Sequence, residues 1–148
     1  MATTGIELYN AKGEKVNIYF DMKERKLVMD RTESGLIEFG KLAVPHDIEK
    51  NYADIHQGVG NTPFRVFNSI NYKNDFALGT WAPLSLCEGK TYHVDIFVDK
   101  CSVEIFVDGG RIAMTNLVFP TTPYTSVKFY NKGASSSFRN IKISELSL

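Results

Sequence analysis

Four charged residues stand inside or beside otherwise apolar, strand-like runs: Asp30, Arg31, Asp99 and Glu104. A charge at such a position needs a partner, because burying it alone is costly. Two arrangements meet that need. Arg31 can pair with Glu104 or Asp99 and lock its own segment against the rest of the fold. Alternatively, Arg31 and the carboxylates of Asp30, Asp99 and Glu104 can together grip adjacent hydroxyl oxygens of a ligand, since a guanidinium fork donates in parallel beside a carboxylate that accepts. Trp81, Tyr52, Tyr72 and Tyr124 lie in or beside loops, where a flat ring can keep one face wet. Trp81, two residues before Pro83, reads first as a plug at an edge of the fold and second as a binding platform. The patterns of known catalytic machinery are missing. Ser102 has no Gly-x-Ser-x-Gly elbow, and His46, His56 and His93 lack metal-ligand spacing, so no metal and no cofactor is expected. His93 alternates with a core strand and reads as a surface or cross-strand histidine; His46 and His56 read as solvated.

The elements that must position these residues are short strands. Val94, Ile96 and Val98 share one face of an extended run, and Val103, Ile105 and Val107 share one face of the next. Asp99-Lys100-Cys101 and Asp108-Gly109-Gly110 break the runs, and the second break supplies the positive-φ residues of a tight hairpin. Residues 92–120 therefore form a three-stranded antiparallel meander. A second sheet must cover its aliphatic face, and Phe97 and Phe106 occupy the opposite one. Upstream, residues 5–9 form a first strand, Val16, Ile18 and Phe20 mark a half-buried second, and residues 26–30 return as its hairpin partner. Residues 37–39 follow the Ser34-Gly35 break. A long connection with a helical turn at residues 45–52 leads to a strand at residues 64–68. Short strands at residues 76–80 and 85–86 flank Trp81-Ala82-Pro83. After the meander, Val127 and Phe129 mark a further strand, and residues 138–146 close the sheet. The fold class is all-β: a two-sheet antiparallel β-sandwich with little or no helix.

With 148 residues the chain suits one domain, residues 1–148, with enough length for a sizeable core. Lys+Arg and Asp+Glu both number 17, so neither nucleic acid nor an anionic membrane is an expected partner. No apolar run of roughly 18 residues occurs, which argues against membrane insertion by a helix. The first residues, Met-Ala-Thr-Thr-Gly, lack the pattern of a signal peptide. Cys87 and Cys101 fall within strand patterns and read first as free, small core residues, with a disulfide between them as the alternative in an exported protein.

The meander also carries a resemblance. Phe-Val-Asp-Lys-Cys-Ser-Val-Glu-Ile-Phe-Val-Asp-Gly-Gly from Phe97, then Met-Thr-Asn-Leu-Val-Phe-Pro from Met114, resembles the signature of the C-terminal β-sandwich of glycoside hydrolase family 32. That family contains invertases, levanases, inulinases and other β-fructosidases. Upstream, Leu27-Val28-Met29-Asp30-Arg31-Thr32-Glu33-Ser34-Gly35 resembles the family's Asp-Arg-x-x-Ser-Gly hairpin, and Trp81-Ala82-Pro83-Leu84 falls in the expected order. The resemblance implies a concanavalin-like jelly roll and an exported parent enzyme, periplasmic, cell-surface or secreted. Family members hydrolyse fructosidic bonds with two carboxylates in an N-terminal β-propeller. Their Asn-Asp-Pro-Asn-Gly, Arg-Asp-Pro and Glu-Cys motifs do not occur here: Asn74-Asp75-Phe76 lacks the proline, and Cys87-Glu88 has the reverse order. The resemblance thus implies a non-catalytic accessory domain that packs on the propeller. Its alternative is a fructan-binding module like carbohydrate-binding module family 66, with Asp30, Arg31, Asp99, Glu104 and Trp81 holding a levan or inulin oligosaccharide. An unrelated lectin-like domain would fit the fold but not the two motifs.

Overall fold

The computed structural model describes residues 2–37 and 79–147. Within them the chain forms eight strands and no helix: β1 (Thr3–Tyr9), β2 (Lys15–Asp21), β3 (Lys26–Glu33), β4 (Thr80–Pro83), β5 (Val94–Val98), β6 (Ser102–Val107), β7 (Ile112–Leu117) and β8 (Ser126–Lys132). A five-stranded antiparallel sheet has the order β4-β3-β2-β1-β8, and a three-stranded one the order β5-β6-β7.

The alternating side chains decide the packing. Leu8, Val16, Ile18, Leu27 and Met29 from the larger sheet meet Val103, Ile105, Val107 and Met114 from the meander in one apolar core. Burial of each such side chain contributes about 1.5–3 kcal/mol. The expected two-sheet sandwich and three-stranded meander are both present. The β6–β7 turn has Asp108 at φ 50°, Gly109 at 71° and Gly110 at 102°, so its left-handed backbone falls mainly on residues without a Cβ.

Three local expectations are corrected. Trp81-Ala82-Pro83 is itself strand, because β4 pairs with β3 through Leu27↔Ala82 and Val28↔Trp81, whereas residues 85–86 carry no strand. The larger sheet ends on β8, paired with β1, and residues 138–146 are not a strand. Their apolar alternation leaves Ile141, Ile143 and Leu146 exposed, and alternation without a hydrogen-bonded neighbour does not make a strand. Cys87 and Cys101 are free, as expected, but exposed, since they sit in connections before β5 and between β5 and β6. The helical turn expected at residues 45–52, the strand at 64–68, residues 38–39, most of the strand expected at 76–80, and Tyr52, Tyr72, His46 and His56 lie outside the described residues.

Candidate functional site

Asp30 and Arg31 are neighbours on β3 and therefore leave opposite faces of the sheet. Arg31 continues the inward series Leu27, Met29. Its Nη1 donates to the Leu117 carbonyl of β7 at 2.9 Å, joining the two sheets at one end of the sandwich. Burial lowers the pKa of its guanidinium. Neither Asp99 nor Glu104 forms an ion pair with it. Among the described residues the ion pair between fully charged groups is Lys15–Glu33, and His93 lies 3.2 Å from Asp95.

Asp99 sits at the tip of the β5–β6 hairpin, where its carboxylate accepts from the Lys100 N–H at 2.7 Å. Glu104 pairs in register with Phe97 and Thr115 on the outer face of the meander. That face also carries Phe106, stacked edge-to-face on Phe97 with centroids 5.8 Å apart. The five candidates are therefore dispersed. Asp99 and Glu104 belong to the smaller sheet, Arg31 bridges the two sheets, and Asp30 and Trp81 remain together on the outer face of the larger sheet.

That outer face has an order the sequence alone did not reveal. Reading the register across it, Trp81 of β4 stands beside Val28 of β3, Tyr19 of β2, Gly5 of β1 and Tyr130 of β8. The adjacent row is Asp30, Asn17, Glu7 and Lys128. Trp81 is 61% exposed, so it does not plug an edge of the core. Tyr130 donates its hydroxyl to Asn17 Oδ1. Because β1 lies between their strands, the Tyr130 side chain must cross β1, beside Gly5, which offers no side chain to obstruct it. Burial raises the pKa of the Tyr19 phenol, with the Asp30 and Asp21 charges adding to it. Burial likewise raises Tyr130, opposed by its bond to Asn17. Asp30 is fixed in place, its Oδ1 accepting from the Thr32 N–H at 2.9 Å and hydroxyl at 2.7 Å. Lys26 and Lys132 lie over the Trp81 and Tyr130 rings at 5.2 and 5.3 Å from the centroids. Tyr19 and Tyr130 were missed as candidates. The signal available was their alternation with Ile18 and Phe129, which sends them outward, but their alignment depends on strand order.

Tyr124, an expected platform, is half-buried instead and donates to the Ser34 carbonyl. His93 is exposed, with Nε2 3.2 Å from Asp95 Oδ1, in keeping with its surface reading. Among the described residues no group of histidine, cysteine and carboxylate side chains could hold a metal ion.

Comparison with known proteins gives three findings. The family model described as "Glycosyl hydrolases family 32 C terminal" matches residues 1–145. A levanbiose-producing levanase of Bacillus subtilis (strain 168) is 30% identical over 95 residues, which cover 64% of this chain and 17% of the levanase. The crystal structure of exo-inulinase from Aspergillus awamori is similar with a TM-score of 0.58 at 21% identity, over 88% of this chain and 19% of that one. The chain thus corresponds to less than a fifth of the length of either relative.

Proposed function

This chain belongs to the glycosyl hydrolase family 32 C-terminal family, and from that premise we propose that it is the non-catalytic β-sandwich of an exported fructan-hydrolysing enzyme, folding as one domain and stabilising the catalytic β-propeller on which it packs. The observation that carries this reading is the family match across residues 1–145, supported by likeness to a levanase in sequence. The outer face of the meander suits the packing role. Phe97 is exposed there beside the Phe106 ring, and Leu117 is exposed further along the same face, apolar surface of the kind that a lasting interface buries. The carboxylate pair for fructosidic hydrolysis belongs to the propeller, so this chain contributes stability rather than chemistry.

The test mixes the purified chain with the separately produced propeller of its parent enzyme. Expected are co-elution as a one-to-one complex, slower heat inactivation of the propeller, and no fructose release from levan, inulin or sucrose by the chain alone. Separate elution with unchanged inactivation, or fructose release abolished by a carboxylate substitution in this chain, overturns the reading.

A further inference from the structure

We propose that the outer face of the five-stranded sheet is a binding platform for a neutral oligosaccharide, laid across the strands along Trp81, Tyr19 and Tyr130. The proposal goes beyond the packing role. Only the identification of the sugar as a fructan rests on that reading of the parent enzyme.

Three observations carry it. First, the rings occupy every second strand of one register row, β4, β2 and β8, separated by Val28 and Gly5. Neighbouring strands lie about 4.8 Å apart, so the backbone positions of Trp81 and Tyr19 are about 10 Å apart, on the order of the length of two sugar units, while the Tyr130 side chain reaches over β1 towards Tyr19. Second, the Tyr130 ring is held down across β1 by its bond to Asn17, and Trp81 is exposed. Both therefore present apolar surface to solvent beside a polar tip. Third, the adjacent row, Asp30, Asn17 and Glu7, lines one side of the rings with hydrogen-bonding oxygens, and the Asp30 carboxylate is already oriented by Thr32. Lys26 and Lys132 supply donors on the other side; each ammonium lies over a ring, 5.2 Å from the Trp81 centroid and 5.3 Å from that of Tyr130, and swings aside when a sugar stacks there.

The mixture of signs selects the ligand class. Carboxylates and ammonium groups share the face, Asp30 and Glu7 on one side of the rings and Lys26 and Lys132 on the other, so neither a polyanion nor a polycation gains from it, whereas hydroxyl groups can both donate and accept. A protein partner fits less well, because charged residues are depleted from the centres of protein interfaces.

Trp81 is the only tryptophan, so its emission reports directly on this face. The experiment titrates the full chain with levan and inulin oligosaccharides, with dextran oligosaccharides as a second neutral glycan, following Trp81 fluorescence and calorimetric heat. Expected are saturable binding of a fructan with a shift in Trp81 emission, at least tenfold weaker calorimetric affinity in Trp81→Ala with an unchanged melting temperature, and a comparable loss in Tyr130→Ala. Tyr130→Phe, which keeps the ring, retains most of the affinity. Binding of dextran alone, with the same dependence on Trp81 and Tyr130, upholds the platform and removes the fructan assignment. Absence of binding to all three glycans overturns the proposal, as does affinity indifferent to both alanine substitutions. A concentration-dependent dimer dispersed by Trp81→Ala, without glycan binding, would make the face a self-association surface and equally overturn it.

Discussion

Gly35 shows how tightly single positions hold this sandwich. Its φ is 137°, and a Cβ placed there would lie 2.4 Å from the Phe119 carbonyl oxygen. Gly35→Ala is therefore expected to cost on the order of 2–4 kcal/mol, read as a lower urea midpoint with an unchanged slope. Arg31 acts nearby through its bond to the Leu117 carbonyl. Arg31→Ala should lose about 1–3 kcal/mol of stability while leaving glycan binding on the opposite face intact, measured by the same denaturation and by titration. The residue types at both positions were visible in the Asp-Arg-x-x-Ser-Gly motif. Its bond to the Leu117 carbonyl was not, because a main-chain carbonyl leaves no trace in residue identity; Asp99 or Glu104 was the natural expectation from side chains alone.

At the scale of elements, the β1–β2 turn is clamped to the segment leading into β8. Glu14 Oε1 accepts from the Asn10 amide at 2.8 Å and from the Thr121 N–H and hydroxyl at 2.8 and 2.9 Å. Burial alone would raise the Glu14 pKa, but these bonds outweigh it and hold the carboxyl below its usual value of 4.5. A depressed folded-state pKa contributes stability that is present above the unfolded value and lost as pH falls through the folded one. Thermal melts should therefore show a loss below the ordinary glutamate range that Glu14→Gln removes. Tyr124, at the same joint, is pushed up to about 12 by burial and then by the Glu14 charge. Its contribution has the opposite sense: complete below the unfolded pKa of 10.0 and lost as pH rises towards 12. Tyr124→Phe should flatten that alkaline loss. The strands themselves were legible, because Val16, Ile18 and Phe20 or Val103, Ile105 and Val107 repeat with the period of a pleat. The clamp was not, since it joins residues more than a hundred positions apart. Residues 138–146 mislead for a related reason: their alternation matches a strand, but the neighbour that would complete it is not encoded locally.

At the scale of the whole molecule, the two outer faces differ in chemistry. The meander's Phe97, Phe106 and Leu117 face is proposed to meet a catalytic partner, and the larger sheet's Trp81, Tyr19 and Tyr130 face is proposed to meet a glycan. Sequence pattern was sufficient for the all-β sandwich, because both hairpin breaks and both alternating series pointed to it. It grouped candidates that the fold disperses, because Asp30, Arg31, Asp99 and Glu104 share motifs but not a surface, and only strand order shows which residues lie together. The most direct test of the stabilising role is the rate of heat inactivation of the parent hydrolase, comparing the intact enzyme with one carrying Phe97→Ser and Leu117→Ser in this domain. Expected are unchanged kcat/KM on fructan at ambient temperature and inactivation several-fold faster on heating. An unchanged inactivation rate, with the substituted domain still folded, would contradict the stabilising role.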